Sequence, residues 1–372
     1  MTSAMALGAT TLACAAAGLF AEAGPQYRDT KSQSLGRTGV ASSQGATSLF
    51  LNPAALGKSA GLGAGFSMDL GINSVLLDYI DWAAENNQYL DKPDTLLTKI
   101  GPVDNKWAPF SQTFLLHGNW RDIGFGVLSD TRYDLALAKA VVTPVIGVGV
   151  LSDLVATAGK GFQAENGYRF GFALKYIYRL RYDDRLLGTT EDDFYRAKDA
   201  LQGPDGTWWD QISKLGVAAD LAETSQGVGL NLGAEKDIGK YWTAGLSTLD
   251  FPTLLDQRLL RPEINLGMAF HRDLDLVPDL DNRVLVNLDW QRFLIPGTPW
   301  FKQLKAGAAL MGYMKKREVA YIGLGMNDGY PTFGARFGYL VYLSYVYIAE
   351  EIGTYPGQEK LSFHKIALQA EL

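Results

Sequence analysis

Residues 168–182 read YRFGFALKYIYRLRY. Tyr168, Phe170, Phe172, Leu174, Tyr176, Tyr178, Leu180 and Tyr182 occupy every second position. Arg169, Gly171, Ala173, Lys175, Arg179 and Arg181 stand between them, with Ile177 the exception. Neighbouring side chains on a β-strand point to opposite faces, so this is one strand with an aromatic face and a basic face. A soluble sandwich seldom makes its dry face so aromatic and its wet face so basic. A strand crossing a bilayer, greasy towards lipid and polar towards an enclosed bore, has this pattern.

The alternation recurs along the chain. Over 60–71, Ala60, Leu62, Ala64, Phe66, Met68 and Leu70 share one face, and Gly61, Gly63, Gly65, Ser67, Asp69 and Gly71 the other. Stretches 113–121, 123–137, 228–237, 263–271, 283–292 and 366–372 alternate similarly. Less regular strands are placed at 151–162, 241–250, 303–315, 318–327, 331–339 and 341–350. The stretch 144–162 reads equally as strand or helix, and no turn signal marks 339–341. The fold expected is all-β, a transmembrane antiparallel β-barrel of about fourteen strands, the even number such barrels require. Outside the first residues no apolar run reaches the roughly 18 residues of a spanning helix.

Connection lengths agree. Long gaps at 73–110, 138–150, 183–226, 251–262 and 293–302 alternate with tight ones at 121–122, 163–165, 237–240 and 315–318, as outer loops and inner turns do. Two connections depart from this: 273–282 is long for an inner turn and 327–330 short for an outer loop. Outer loops 75–89, with Trp82, and 191–221, with Trp208 and Trp209, read as partly helical and amphipathic. They either pack together to close the barrel top or offer a landing place for a greasy molecule.

The first 23 residues, MTSAMALGATTLACAAAGLFAEA, carry no charge before Glu22 and end in Ala21-Glu22-Ala23. This small-x-small ending reads as a signal peptide over 1–23, cleaved before Gly24. A retained anchor and a lipoprotein site at Cys14 are the alternatives. Cys14 is the only cysteine, so no intrachain disulfide exists.

Composition supports strands: 41 Gly, 18 Tyr, 17 Phe and 8 Trp in 372 residues. The net charge of -6 argues against a nucleic-acid partner. The three histidines, His117, His271 and His364, sit in separate strands without metal-ligand spacing, and no nucleophile elbow, phosphate-binding loop or dinucleotide fingerprint occurs. No enzyme, metal or cofactor is expected. By parity Arg132, Arg169, Lys175, Arg179, Arg181 and Arg336 face the bore, with Asp130, Asp134, Glu235, Asp289 and Glu371. Most of these charges should pair with one another. Lys175 and Arg179 are the candidates for binding the polar head of an amphipathic ligand.

Arg37-Thr38-Gly39-Val40-Ala41, then Gly45-Ala46-Thr47-Ser48-Leu49-Phe50-Leu51-Asn52-Pro53-Ala54-Ala55-Leu56, leads straight into the Gly-alternating first strand. This resembles the N-terminal segment of the FadL/TodX family of outer-membrane transport proteins for hydrophobic compounds. PorV-like and spirochaetal FadL-like barrels share the opening. The resemblance implies a monomeric barrel in the outer membrane of a diderm bacterium, with its N-terminal segment folded into the lumen as a hatch. Ligand would be captured at the outer loops, here Trp82, Trp208 and Trp209, and released through a side opening. On that basis residues 24–58 are the hatch, with Phe50, Asn52, Pro53 and Ala54 at its gate, and 59–372 the barrel. The expected function is passive uptake of long-chain fatty acids or aromatic hydrocarbons, with outer-membrane lipid around the wall. The alternative is a PorV-like scaffold that receives or anchors secreted proteins.

Overall fold

The computed structural model describes residues 24–25, 27–45, 47–59, 61–89, 95, 98–104, 106–139, 144–187, 223–256, 258–277, 280–293, 295, 297–352, 357–358 and 360–371. The leader and residues 188–222, including Trp208 and Trp209, lie outside the described residues.

The strands are β1 (Leu62–Asn73), β2 (Lys106–Trp120), β3 (Ile123–Lys139), β4 (Pro144–Gln163), β5 (Tyr168–Leu187), β6 (Glu223–Ile238), β7 (Trp242–Leu249), β8 (Thr253–Leu255), β9 (Arg258–Leu259), β10 (Glu263–Val277), β11 (Leu280–Gln291), β12 (Leu304–Met314), β13 (Arg317–Asn327), β14 (Tyr330–Gly338), β15 (Val341–Glu351) and β16 (Lys360–Glu371). Setting aside the β8–β9 hairpin, which hangs from β6, each strand pairs antiparallel with the next, and β5 pairs with β6. β1 closes onto β16 from Gly65↔Glu371 to Asn73↔Phe363. The result is a closed fourteen-strand barrel. Closure removes the unpaired edge that a bilayer, having no water to satisfy it, would not tolerate.

The alternation read from the sequence is the alternation of the wall. Leu62, Leu116, Leu174, Val228, Ile322, Leu324 and Leu343 point outwards, each more than half exposed, while their strand neighbours are covered. Aromatic side chains gather at both rims, where an apolar ring and a polar tip suit the headgroup layer. At the inner rim Arg121 lies over Trp120, Lys160 over Phe162 and Lys236 over Tyr168. At the outer rim Phe333, Tyr345, Tyr347 and His364 form one contiguous cluster.

The irregular expectations resolve locally. Residues 144–162 are strand β4. The long inner turn shrinks because β10 runs on to Val277 and β11 starts at Leu280, with a register shift after Leu274. The short outer connection is a hairpin whose Asp328 and Gly329 both take positive φ, 51° and 82°. That backbone twist matches the twist of the strands it joins. The first outer loop carries the expected helix, Ser74–Asn86, capped by Asn73, whose Oδ1 accepts from Val75 N (2.6 Å). The Asn73 amide also donates to Ser362 O (2.7 Å), tying the loop to β16.

A charge on the outer wall tests this arrangement. Ile322→Arg should destabilise the refolded barrel in lipid by about 2–4 kcal/mol, the cost of a cation near the bilayer midplane. Denaturant titration in liposomes should show no such loss for Asn119→Arg, which faces the bore cavity.

Candidate functional site

The chain from Gly24 to Ser59 runs around the inside of the barrel, and backbone contacts with wall glycines hold it there. A side-chain carbon on Gly307 or Gly325 would meet the Leu35 backbone, and one on Gly245 or Gly267 would meet Val40. On the other side, one on Gly233 would meet Asn52, one on Gly171 Pro53 and Ala54, and one on Gly161 Gly57. The glycines on the bore-facing side of the strands are the track in which this segment lies.

Many of the segment's polar groups are bonded to the wall, as buried backbone in particular must be. Gly39 N and Val40 N donate to Asp289 Oδ2 (2.8 and 3.1 Å). Ser34 Oγ pairs with Tyr321 OH (2.8 Å), and Thr332 Oγ1 donates to Ser34 O (2.8 Å). Lys31 pairs with Glu318 (2.9 Å), Lys58 with Glu235 (2.7 Å), and Arg37 with Glu350. Burial, then the neighbouring Arg37 guanidinium, pushes Arg28 down to about 10, so it stays charged at neutral pH.

Asn52 is the centre of this packing. Fully buried, it donates through Nδ2 to Val40 O (2.7 Å) and Ala234 O (3.4 Å), and accepts at Oδ1 from Ala54 N (3.2 Å). It thereby caps the 3-10 helix Pro53–Lys58, where Pro53 fits because the first helical N–H has no partner to lose. Phe50 is buried with its ring edge-on to Tyr27, centroids 5.7 Å apart.

Tyr27, Leu49, Phe50 and Leu56 pack on a layer of the wall that alternation alone did not announce. Leu115, Leu128, Val155 and Ile177 face the bore, fully buried, and are paired in register from β2 to β5. The bore is therefore not polar throughout, as parity suggested. The sequence signal is an extra apolar residue beside each lipid-facing one: Leu115 next to Leu116, Leu128 next to Val127, Val155 next to Leu154. Only Ile177 stood out as an exception.

Polar layers flank this apolar one. On its outer side Thr113, Asp130, Asp153 and Arg179 are in register, with Thr113 Oγ1 donating to Asp130 (2.6 Å). On its inner side His117, Gly126, Thr157 and Lys175 are in register. Lys175 and Arg179 thus bracket the apolar layer along β5, and both are buried and paired. Arg179 donates twice to Asp153, Nε at 2.7 Å and the second nitrogen at 2.9 Å, and Lys175 Nζ lies 2.5 Å from Asp250 Oδ1. A ligand head binding there must compete with these carboxylates.

Trp82 is buried within the outer loop, its indole N–H donating to Lys99 O (2.9 Å), while Leu77 and Ile80 on the same helix are exposed. Inwards of the segment the bore opens into a cavity of about 610 Å³ with a mixed lining, Lys58, Arg169, Asp237 and His271 beside Leu285 and Met311. A separate apolar depression of about 930 Å³ lies against Leu116, Phe125, Val127, Ala156, Ala158 and Tyr176, on the lipid side of the apolar layer. The β2–β3 and β3–β4 ladders run through this region without a register shift, so the wall is closed here.

The glycine track gives a direct test. Gly171→Leu and Gly233→Leu should leave a heat-resistant barrel yet push the 52–54 turn out of place, raising ion conductance in planar bilayers several-fold. Gly101→Leu, where nothing crowds the site, should match the unaltered protein.

Comparison with known proteins places this geometry. No protein-family model and no curated protein matches the chain. Among solved structures, a TodX monoaromatic hydrocarbon channel deltaS2 mutant is similar, with 12% identity over 92% of this chain and 97% of that chain and a TM-score of 0.54. A TodX deltaS2S3 mutant has 12% identity over 93% and 98%, TM-score 0.51. The Pseudomonas putida toluene transporter TodX has 11% identity over 95% and 98%, TM-score 0.47. The chain has the fold of the TodX-type channels, an outer-membrane-type β-barrel.

Proposed function

We propose that this protein is an outer-membrane channel of the FadL/TodX type for the passive uptake of hydrophobic or amphipathic small molecules. The observation that carries the reading is the in-register apolar layer Leu115–Leu128–Val155–Ile177 inside the bore, covered by the N-terminal segment. A pore for water-soluble solutes has no use for four aliphatic side chains facing inwards. A site for long-chain fatty acids or aromatic hydrocarbons needs such a surface, since each buried side chain of this size contributes roughly 1.5–3 kcal/mol.

In this mechanism the cargo lands on the outer loops, where Leu77 and Ile80 offer apolar surface beside the buried Trp82. Trp208 and Trp209 are assigned to the same capture step. The cargo then displaces Tyr27, Leu49 and Phe50 from the apolar layer and occupies their place. For an amphipathic molecule the carboxylate meets Lys175 or Arg179 as Asp250 or Asp153 gives way. Movement of the Asn52-Pro53-Ala54 turn out of its glycine track opens the way onward. Exit through the wall beside the lipid-side depression requires the β2–β4 ladder to part, and exit inwards leads through the cavity past the charged Lys58, Arg169 and Asp237. The lipid route suits an apolar cargo better.

The filled bore also fits a second reading, a PorV-like interaction scaffold that moves no small molecule. Uptake of labelled toluene and of a labelled long-chain fatty acid by cells lacking other routes separates the two. Leu128→Asn and Ile177→Asn should lower uptake of both by roughly tenfold, about 1.4 kcal/mol, while the barrel stays heat-resistant. Lys175→Met with Arg179→Met should lower fatty-acid uptake alone. Unchanged uptake in every folded variant contradicts the channel and favours the scaffold.

A further inference from the structure

Asp250 stands at the end of β7 in the left-handed region, φ 60°, a conformation an L-residue adopts only when its surroundings hold it there. Its N–H donates to Asn231 Oδ1 (3.0 Å), and the Asn231 amide donates to Leu49 O (3.3 Å), linking it to the N-terminal segment. The side chain is 1% exposed. Lys175 holds one oxygen, Oδ1, in an ion pair at 2.5 Å, but Oδ2 has no partner among the described residues. A buried carboxylate that accepts so few donors is costly unless another group completes it.

The group beside it is Gly24. This residue is buried, and a side-chain carbon there would overlap both oxygens and the carboxyl carbon of Asp250. Only glycine brings its backbone this close to the carboxylate. Gly24 is also the residue that the Ala21-Glu22-Ala23 ending makes first in the mature chain. Two unrelated features, a cleavage pattern and a buried acceptor, meet at one residue.

We propose that removal of the leader creates at Gly24 an α-ammonium group that binds the buried carboxylate of Asp250, so that the mature N-terminus is the ligand of a built site in the bore. The inference rests on cleavage before Gly24 and is independent of the cargo. A leader-removing peptidase breaks the Ala23–Gly24 peptide bond with water. The water oxygen goes to the Ala23 carbonyl carbon, which becomes a carboxylate, and both water protons end on the released nitrogen, which with the hydrogen it already carried becomes the ammonium. In the precursor the same nitrogen is a neutral amide with one hydrogen. After cleavage it offers three hydrogens and a full charge to Asp250, which it shares with Lys175. Charge-assisted hydrogen bonds of this kind are about twice as strong as neutral ones. Pro25 and Tyr27 follow at once, and Tyr27 packs on Phe50, so docking of the terminus seats the start of the segment on the apolar layer. The bore closes fully only after processing.

Mass spectrometry of the protein extracted from outer membranes should find Gly24 as the first residue, and a different first residue overturns the proposal. Acetylation at pH 7 with an amine-reactive ester favours an α-amine, ordinary pKa about 7.7–8.0, over lysine at about 10.4. In the folded barrel the Gly24 amine should be protected, and Asp250→Asn should raise its rate of acetylation by at least about tenfold, the shift expected from losing about 1.4 kcal/mol of differential binding. Lys175→Met and Asp153→Asn should leave it protected, which a general loosening of the bore would not. If Asp250→Asn does not fold, Gly24→Val tests the same docking from the terminus side and should give the reactive amine. Equal reactivity in the unaltered barrel and in these variants refutes the site. No readout depends on transport, so failure here and failure of the channel reading are distinguishable.

Discussion

A closed sheet in a bilayer leaves each wall residue two places to point, lipid or bore, and everything else in this molecule follows from that division. The outward set must be greasy because no water reaches it. The inward set is free to vary, and it does so by layer and by sector. Glycines form a track, carboxylates and guanidiniums pair along the wall and with the N-terminal segment, and four aliphatic side chains line one stretch of wall.

What occupies the bore is backbone as much as side chain. A chain passing through the interior must find a partner for every N–H and C=O, and the wall provides them at Asp289, Tyr321 and Thr332, which bond Gly39 N, Lys31 O and Ser34 O. Asn52 serves both sides at once, holding the segment to itself through Val40 and to the wall through β6. The contact is close but narrow, made over glycines rather than through interdigitated large side chains. A segment held by hydrogen bonds, ion pairs and one apolar cluster is fixed in register, and in the proposed mechanism a ligand displaces it by competing for the cluster.

The wall was legible in the sequence because its signal has a period of two and repeats in almost every strand. The run from Tyr168 to Tyr182 states the rule alone, and even its Ile177 exception carried meaning. The turns were legible less evenly: Asp328-Gly329 was read as an anomaly because its loop was short, although its residues are those a tight hairpin needs. The apolar layer stayed hidden because each of its members sits next to a lipid-facing neighbour, where two apolar residues together read as noise. Its existence depends on register, the alignment of Leu115 with Leu128, Val155 and Ile177, which no single strand contains. The partners of Lys175 and Arg179 were hidden for a similar reason. Parity placed both in the bore, but only the fold brings Asp250 across from the end of β7 and Asp153 from β4. For the same reason the reading of the wall glycines was half complete: they were read as the small face of the alternation, and the fold identifies the segment that lies against them.

The central claim is that the N-terminal segment closes the bore and must move for cargo to pass. Cysteines replacing Ser42 and Asn287, whose side chains are hydrogen-bonded (2.8 Å), would join the segment to β11 by a disulfide, with no cysteine outside the leader to interfere. Uptake of toluene and of a long-chain fatty acid should stop in the oxidised protein and return on adding a reductant. Full uptake through the cross-linked barrel would contradict a moving segment.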